Sequence, residues 1–269
     1  MPSAIGHRTE PIMFSRWKKQ PVQVQAADGL AVTVGAHTDV GQVRSENQDA
    51  FGLWPEGSPR LFIVCDGMGG HEAGGTASRV AVDTLCNAFR EEPPPLAERL
   101  RTAVQRANAA VWGEANDGDL RRMGTTCTTV AVGEGRVVLA HVGDSRAYRV
   151  WPDRLELVSE DHTVAAEMTA SGMLSAAEAA RHPRRHALTR ALGTSAEVEV
   201  FVRDLGSATD GMRLLLCSDG LLPVDPAEVL RGANQPDPQP AAEWLVSRAN
   251  EAGGPDNITV LIVDIEGDG

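Results

Sequence analysis

One stretch constrains this chain more than any other: Leu61-Phe62-Ile63-Val64-Cys65-Asp66-Gly67-Met68-Gly69-Gly70. Its run of apolar, β-preferring residues predicts a buried strand, and the glycines predict where that strand stops. Asp66 is therefore expected at a strand end. A carboxylate there, against backbone that glycine lets approach, suits a hard cation, which takes oxygen donors. Taken alone, Asp-Gly after an apolar run is an ordinary turn signal. The pattern recurs, however. Asp219 ends an apolar run and precedes Gly220, and Asp256 sits in a Gly-Pro-Asp-Asn turn before another run. Asp144 follows Leu139 to Gly143 directly, and Asp49 precedes a short strand.

Carboxylates that converge at strand ends repel one another at neutral pH unless cations sit among them. Aspartates and backbone oxygens without matched His or Cys spacing favour magnesium or manganese over zinc. Arg44, a few residues before Asp49, offers the planar cation that binds phosphate in bidentate fashion. Standing alone, it would read as a surface arginine.

Along the chain, residues 1–28 mix Pro, Gln and basic residues without sustained periodicity and read as a flexible tail, the alternative for Phe14 to Lys19 being a docking or membrane-touching segment. Strands are expected over 31–35, 50–54 and 61–66, then helices over 76–90 and, of similar length, from Leu96 to Val111, separated by Pro93-Pro94-Pro95. A meander follows over 127–132, 137–142, 147–151 and 155–158, with further strands at 198–202, 212–217 and 258–265. A Pro-rich loop, 236–240, is expected to precede a last helix over 241–252. Residues 161–193 form an insert carrying His182, Arg184, Arg185, His186 and Arg190, which could face an anionic substrate or simply solvent.

Strands grouped in meanders with paired helices between them predict α+β, with helices packed on largely antiparallel sheets. Gly67-Met68-Gly69-Gly70-His71-Glu72 has Glu where a dinucleotide fingerprint needs its last glycine, so nucleotide binding is not indicated. A net charge of -12 argues against nucleic acid or an anionic membrane as the main partner. Cys65, Cys86, Cys127 and Cys217 form no Cys-x-x-Cys pair and read as core residues of a reducing compartment. Without a long apolar run, the chain is expected to be cytoplasmic and monomeric, with no stable membrane insertion.

Eight blocks together resemble the metal-dependent protein phosphatases of the 2C type, in their bacterial version, over about Val34 to Asp264. They are Thr38-Asp39-x-Gly41-x-x-Arg44-x-x-Asn47-Gln48-Asp49, Val64 to His71, Met123 to Thr126 and Val142 to Tyr148. Asp161-His162-Thr163, Leu188 to Gly193, Cys217 to Leu221 and Asp256 to Thr259 complete the set.

The resemblance implies a four-layer α/β/β/α sandwich of two antiparallel sheets flanked by helices, within a catalytic domain over 29–269 whose mobile flap is 161–193. It also implies two core Mn2+ or Mg2+ ions and a weaker third. Carried over by position, Asp66 would bridge the core ions and the Gly67 carbonyl would bind one of them. Asp219 and Asp256 would bind the other, and Asp49 would hold metal-bound water. Asp144, with Asp219, would bind the third ion, and Arg44 would clamp phosphate. The implied reaction is attack of a metal-bridging hydroxide on phosphoserine or phosphothreonine, with phosphorylated proteins, either the targets of a serine/threonine kinase or the kinase itself, as substrates. Gln48 departs from the Glu of many relatives, and Met68 stands where eukaryotic relatives carry a histidine, leaving the proton donor open.

His162 reads as an anchor for the flap rather than a ligand, and Thr125 and Thr126 as hydroxyls supporting the site. His141, Asp144 and Ser145 hold the letters of a hydrolase triad, but neighbours that alternate along a strand end cannot converge on one proton. The alternatives are an inactive phosphoprotein-binding module, which would be expected to have lost a metal carboxylate, and a hydrolase of small phosphate esters.

Overall fold

A computed structural model describes residues 12–13, 22–25, 30–54, 58–70, 72–90, 95–117, 123–208 and 211–267. The strands are β1 (Ile12–Met13), β2 (Val22–Gln25), β3 (Leu30–Asp39), β4 (Asp49–Trp54), β5 (Arg60–Met68), β6 (Gly124–Thr125), β7 (Cys127–Gly133), β8 (Arg136–Val142), β9 (Arg146–Val150), β10 (Leu155–Leu157), β11 (Phe201–Ser207), β12 (Met212–Cys217) and β13 (Ile258–Gly267). The helices are α1 (Ala73–Phe89), α2 (Leu96–Asp117), α3 (Val164–Ala170), α4 (Ala176–Ala179), α5 (Pro226–Ala233) and α6 (Pro238–Glu251).

Two antiparallel sheets form, one ordered β1-β4-β5-β7-β8-β11 with β6 beside β5, the other β10-β9-β12-β13-β3-β2. Strand alternation divides the apolar residues into three layers. Phe62 and Val64 of β5 meet Leu214, Leu216, Leu261 and Val263 between the sheets. Leu61, Ile63 and Cys65 point the other way, under α1 and α2. Leu215, Cys217, Val260 and Ile262 pack beneath α5 and α6. The result is the expected α/β/β/α sandwich. Among the described residues no helix is long and apolar enough to cross a membrane.

Several expectations need correction. The glycines do not end the organising strand at Asp66, because Gly67 and Met68 continue it by pairing with Thr125 and Gly124 of β6. The strand expected over 198–202 lies at Phe201–Ser207, where β8 supplies its partner over His141 to Arg136. The last helix starts inside the supposed Pro-rich loop: Pro238 fits the first helical turn, where its missing N–H has no partner to lose. Buried Gln239 then fixes that turn to β3 by accepting from the Ala36 N–H (3.0 Å) and donating to the Ala36 carbonyl (3.1 Å). Helix α5 was not anticipated. The segment read as a flexible tail supplies β1, paired with β4, and β2, paired with β3. Phe14 to Lys19 lie outside the described residues.

Candidate active site

The inward stripes of the strands end in polar residues at one end of the sandwich. On β4 and β5 the stripe containing Phe51, Leu53, Phe62 and Val64 ends in Asp49 and Asp66, which sit directly opposite each other in the ladder. On β12 and β13 the stripe ends in Ser218 and Thr259. Two like charges facing across a ladder disfavour the pairing, so something other than local propensity keeps them there.

Backbone and hydroxyl bonds hold Asp66 in place. Its N–H donates to Thr126 Oγ1 (2.9 Å), and its carbonyl accepts from Thr125 Oγ1 (2.9 Å) and the Thr126 N–H (2.9 Å). Thr125 and Thr126 thus support the site as hydroxyls. Gly67 lies so close to α1 that an added Cβ would sit 2.1 Å from the Gly74 carbonyl oxygen. Asp256 is presented by a turn packed on Gly41, whose φ of +81° and 2.2 Å Cβ approach to the Asp256 carbonyl admit only glycine. Asn257 ties this turn to the opposite loop, donating to the carbonyls of Val40 (2.9 Å) and Glu46 (2.8 Å) and accepting from the Gln48 N–H (2.8 Å).

Arg44, Asp66, Gly67, Asp144, Asp219 and Asp256 line one open cavity of roughly 400 Å3, together with Gln48, Met68, Thr126, His186 and Asn257. Asp49 stands behind it, 5% exposed. One of its oxygens accepts from Ser218 Oγ (2.8 Å) and Thr259 Oγ1 (2.7 Å); the other is buried without a hydrogen-bond partner. Arg44 guards the mouth with its side chain 55% exposed, donating to Asp256 at 2.7 Å. That ion pair holds the arginine pKa above its ordinary value.

The carboxylates are electrostatically crowded. Burial, with Asp219 and Asp256 adding repulsion against two hydroxyl bonds, pushes Asp49 up to about 7. Burial and then Asp219 push Asp144 up to about 7. Asp66 is raised well above the carboxylate range by burial and then by Asp49, Asp219 and Asp144. Asp219 is raised by burial and by Asp256, while His186, a hydrogen bond with Asp66, and Arg44 oppose the shift.

This donor set fits divalent cations. The orphaned Asp49 oxygen and four further aspartates on one cavity are an uncompensated anionic site of hard oxygen donors. Among the described residues no three Asp, Glu, His or Cys side chains converge as a complete ligand set. Magnesium and manganese tolerate this, because carbonyls such as that of Gly67 and waters fill the remaining positions.

The histidines keep away from this chemistry or border it. His141 is buried: its Nε2–H donates to the Gly143 carbonyl (2.9 Å) and Nδ1 accepts from Thr128 (2.9 Å), while burial lowers its pKa to about 4. No triad forms. His162 anchors the flap base to the Asp144 loop, donating its N–H to the Gly143 carbonyl (2.7 Å) while its Nδ1 accepts the Gly143 N–H (3.1 Å). His186, which motif spacing had not singled out, reaches the cavity from the flap.

Paired sheets whose shared end gathers aspartates beside an arginine form an open site of hard oxygen donors next to a cation of oxyanion-binding geometry. The family model described as protein phosphatase 2C matches residues 35–253, and the chain belongs to that family. It is 37% identical over 238 residues to the serine/threonine phosphatase Stp of Listeria innocua, covering 84% of this chain and 93% of that one. A PPM Ser-Thr phosphatase from Mycobacterium smegmatis, solved in complex with cacodylate, is 40% identical with a TM-score of 0.77, covering 86% of this chain and 97% of that one. The catalytic domain of the phosphatase PstP, solved with two manganese ions, is 34% identical with a TM-score of 0.75, covering 88% of this chain and 99% of that one.

Proposed function

We propose that this protein hydrolyses phosphoserine and phosphothreonine in proteins, using Mn2+ or Mg2+ held at the aspartate cluster. The observation that carries this is the meeting of Asp66, Asp144, Asp219, Asp256, the Gly67 backbone and Arg44 on one cavity. Asp66 and Gly67 would hold one ion, Asp66 with Asp219 and Asp256 a second, and Asp144 with Asp219 a weaker third. Bound divalent ions supply a water acidified enough to act as nucleophile and neutralise charge on the phosphoryl oxygens. Asp49 acts from behind, as a fixed acceptor for water at the site. Arg44 leaves Asp256 to clamp the phosphate in bidentate geometry, orienting the phosphorus for in-line attack. The two-manganese PstP domain and the cacodylate-bound mycobacterial enzyme support the same reading.

The catalytic unit spans 29–269, with 161–193 as its flap. Its substrates are phosphoproteins set by a serine/threonine kinase, met by a monomer in the cytoplasm, where four free buried thiols are at home. Hydrolysis of a phosphothreonine peptide, measured with manganese, magnesium and chelator, tests this. Activity should require a metal and fall at least about a hundredfold in Asp66→Asn and Asp219→Ala. A folded, metal-binding wild type inert on phosphopeptides and on an aryl phosphate would show a binding module instead. Hydrolysis of the aryl phosphate alone would indicate a small-ester hydrolase.

A further inference from the structure

A second cavity, roughly 240 Å3, opens under the flap, between α3, α4 and Leu222. It shares Asp144 and His186 with the catalytic cavity, so the two adjoin. Successive residues of an extended peptide are separated by about 3.3–3.6 Å. A substrate whose phosphate occupies the first cavity therefore offers a neighbouring side chain to the second.

The charges lining that space are not equivalent. Arg146 is consumed by Asp161, to which its Nη2 donates at 2.6 Å and its Nε at 2.9 Å. Arg185 also lines the cavity, yet it makes no ion pair among the described residues. The flap acids do not serve it. Asp161 is taken by Arg146, Glu178 accepts from the Ser175 N–H and hydroxyl, and Glu199, just beyond the flap, pairs with Arg190. Residues 181–190 contain no acid at all, in a chain of net charge -12. Four alanines of the flap keep the remaining wall small and apolar. An unpartnered guanidinium beside a side-chain-sized space is a recognition group for an oxyanion.

We propose that Arg185 makes this cavity a subsite for an anionic side chain close to the phosphorylated residue of the substrate. The inference rests on the phosphatase reading and names the substrates that reading leaves general. A carboxylate and a second phosphate share the required chemistry, and Asp144 at the catalytic end keeps either on the Arg185 side.

The test compares phosphothreonine peptides carrying Ala, Lys, Glu or a second phosphothreonine at single positions on either side of the target residue. At one position, Glu or the second phosphate should raise kcat/KM about tenfold over Ala, and the larger effect identifies the natural anion. Arg185→Ala should bring the peptides to parity, Arg185→Lys should retain part of the preference, and Arg185→Glu should transfer it to Lys. Peptide binding, followed by fluorescence anisotropy on the same variants, should give the same ranking. Equal wild-type kcat/KM for all peptides, or an acid preference that survives Arg185→Ala, overturns the subsite while leaving the phosphatase reading intact. Wild type inert on every peptide and on an aryl phosphate would overturn both.

Discussion

Asp49 carries the electrostatic cost of the site in its most concentrated form. It is buried, faces Asp66 across the ladder, and keeps one oxygen unpartnered. In Asp49→Asn the amide oxygen can still accept from Ser218 and Thr259, while the new NH2 group is a donor where the orphaned oxygen stood. The charge that burial disfavours is gone. Metal-free Asp49→Asn should therefore melt about 2–4 °C above metal-free wild type at pH 8, and gain less from manganese, by differential scanning fluorimetry. A lower metal-free melting temperature would mean that Asp49 serves the fold rather than the ions. The aspartates themselves were visible in the sequence because each borders an apolar run and a turn. Ser218, Thr259 and Asn257 were not recognised as their partners. Their bonds reach Asp49 and the 40–48 loop from more than 160 residues away, and only the strand order brings them there.

At the scale of elements, strand β5 and helix α1 work as one part. Their contact is backbone against backbone at Gly67 and Gly74, and Ser78 adds a hydroxyl bond to the Gln48 carbonyl at 2.6 Å. A methyl group at Gly67 would lie 2.1 Å from the Gly74 carbonyl oxygen and 2.6 Å from that of Gln48, so helix and loop must both retreat. Gly67→Ala should lower stability by about 3 kcal/mol, a loss of about 6–12 °C, and should abolish activity. Gly70→Ala is the control, because nothing lies within 4 Å of its added Cβ. Similar melting temperatures for the two variants would sink the close-contact argument. Long periodic elements such as α1, α2 and β13 could be read from the chain. Helix α5 could not, since eight residues opening on Pro226 give too few turns for a period. β11 was displaced because its bounds are set by pairing with β8, not by its own apolar residues.

The molecule as a whole is two sheets packed face to face whose shared end forms the site: Asp49 and Asp66 come from strands of one, Asp219 and Asp256 flank strands of the other, and Asp144 lies on the turn that crosses between them. Cations bound there would staple the sheets together. Without them, raised carboxylate pKa values make the folded state bind more protons than the unfolded chain from about pH 4 to about pH 7. The stability these groups contribute is thus greatest below that window and declines as pH rises through it. His141 and His162, both lowered to about 4, work in the opposite sense, because the unfolded chain binds the extra protons up to about pH 6.5. A single melting curve mixes the two effects. The difference between manganese-saturated and chelated protein separates them, since the buried histidines are common to both states while the aspartates are not. That difference in melting temperature should grow from pH 5.5 to pH 7.5, as deprotonation exposes repulsion that only the cations relieve. A difference that stayed constant or shrank would mean that manganese binds away from the raised carboxylates, and the aspartate cluster would lose its role as the site that joins the sheets.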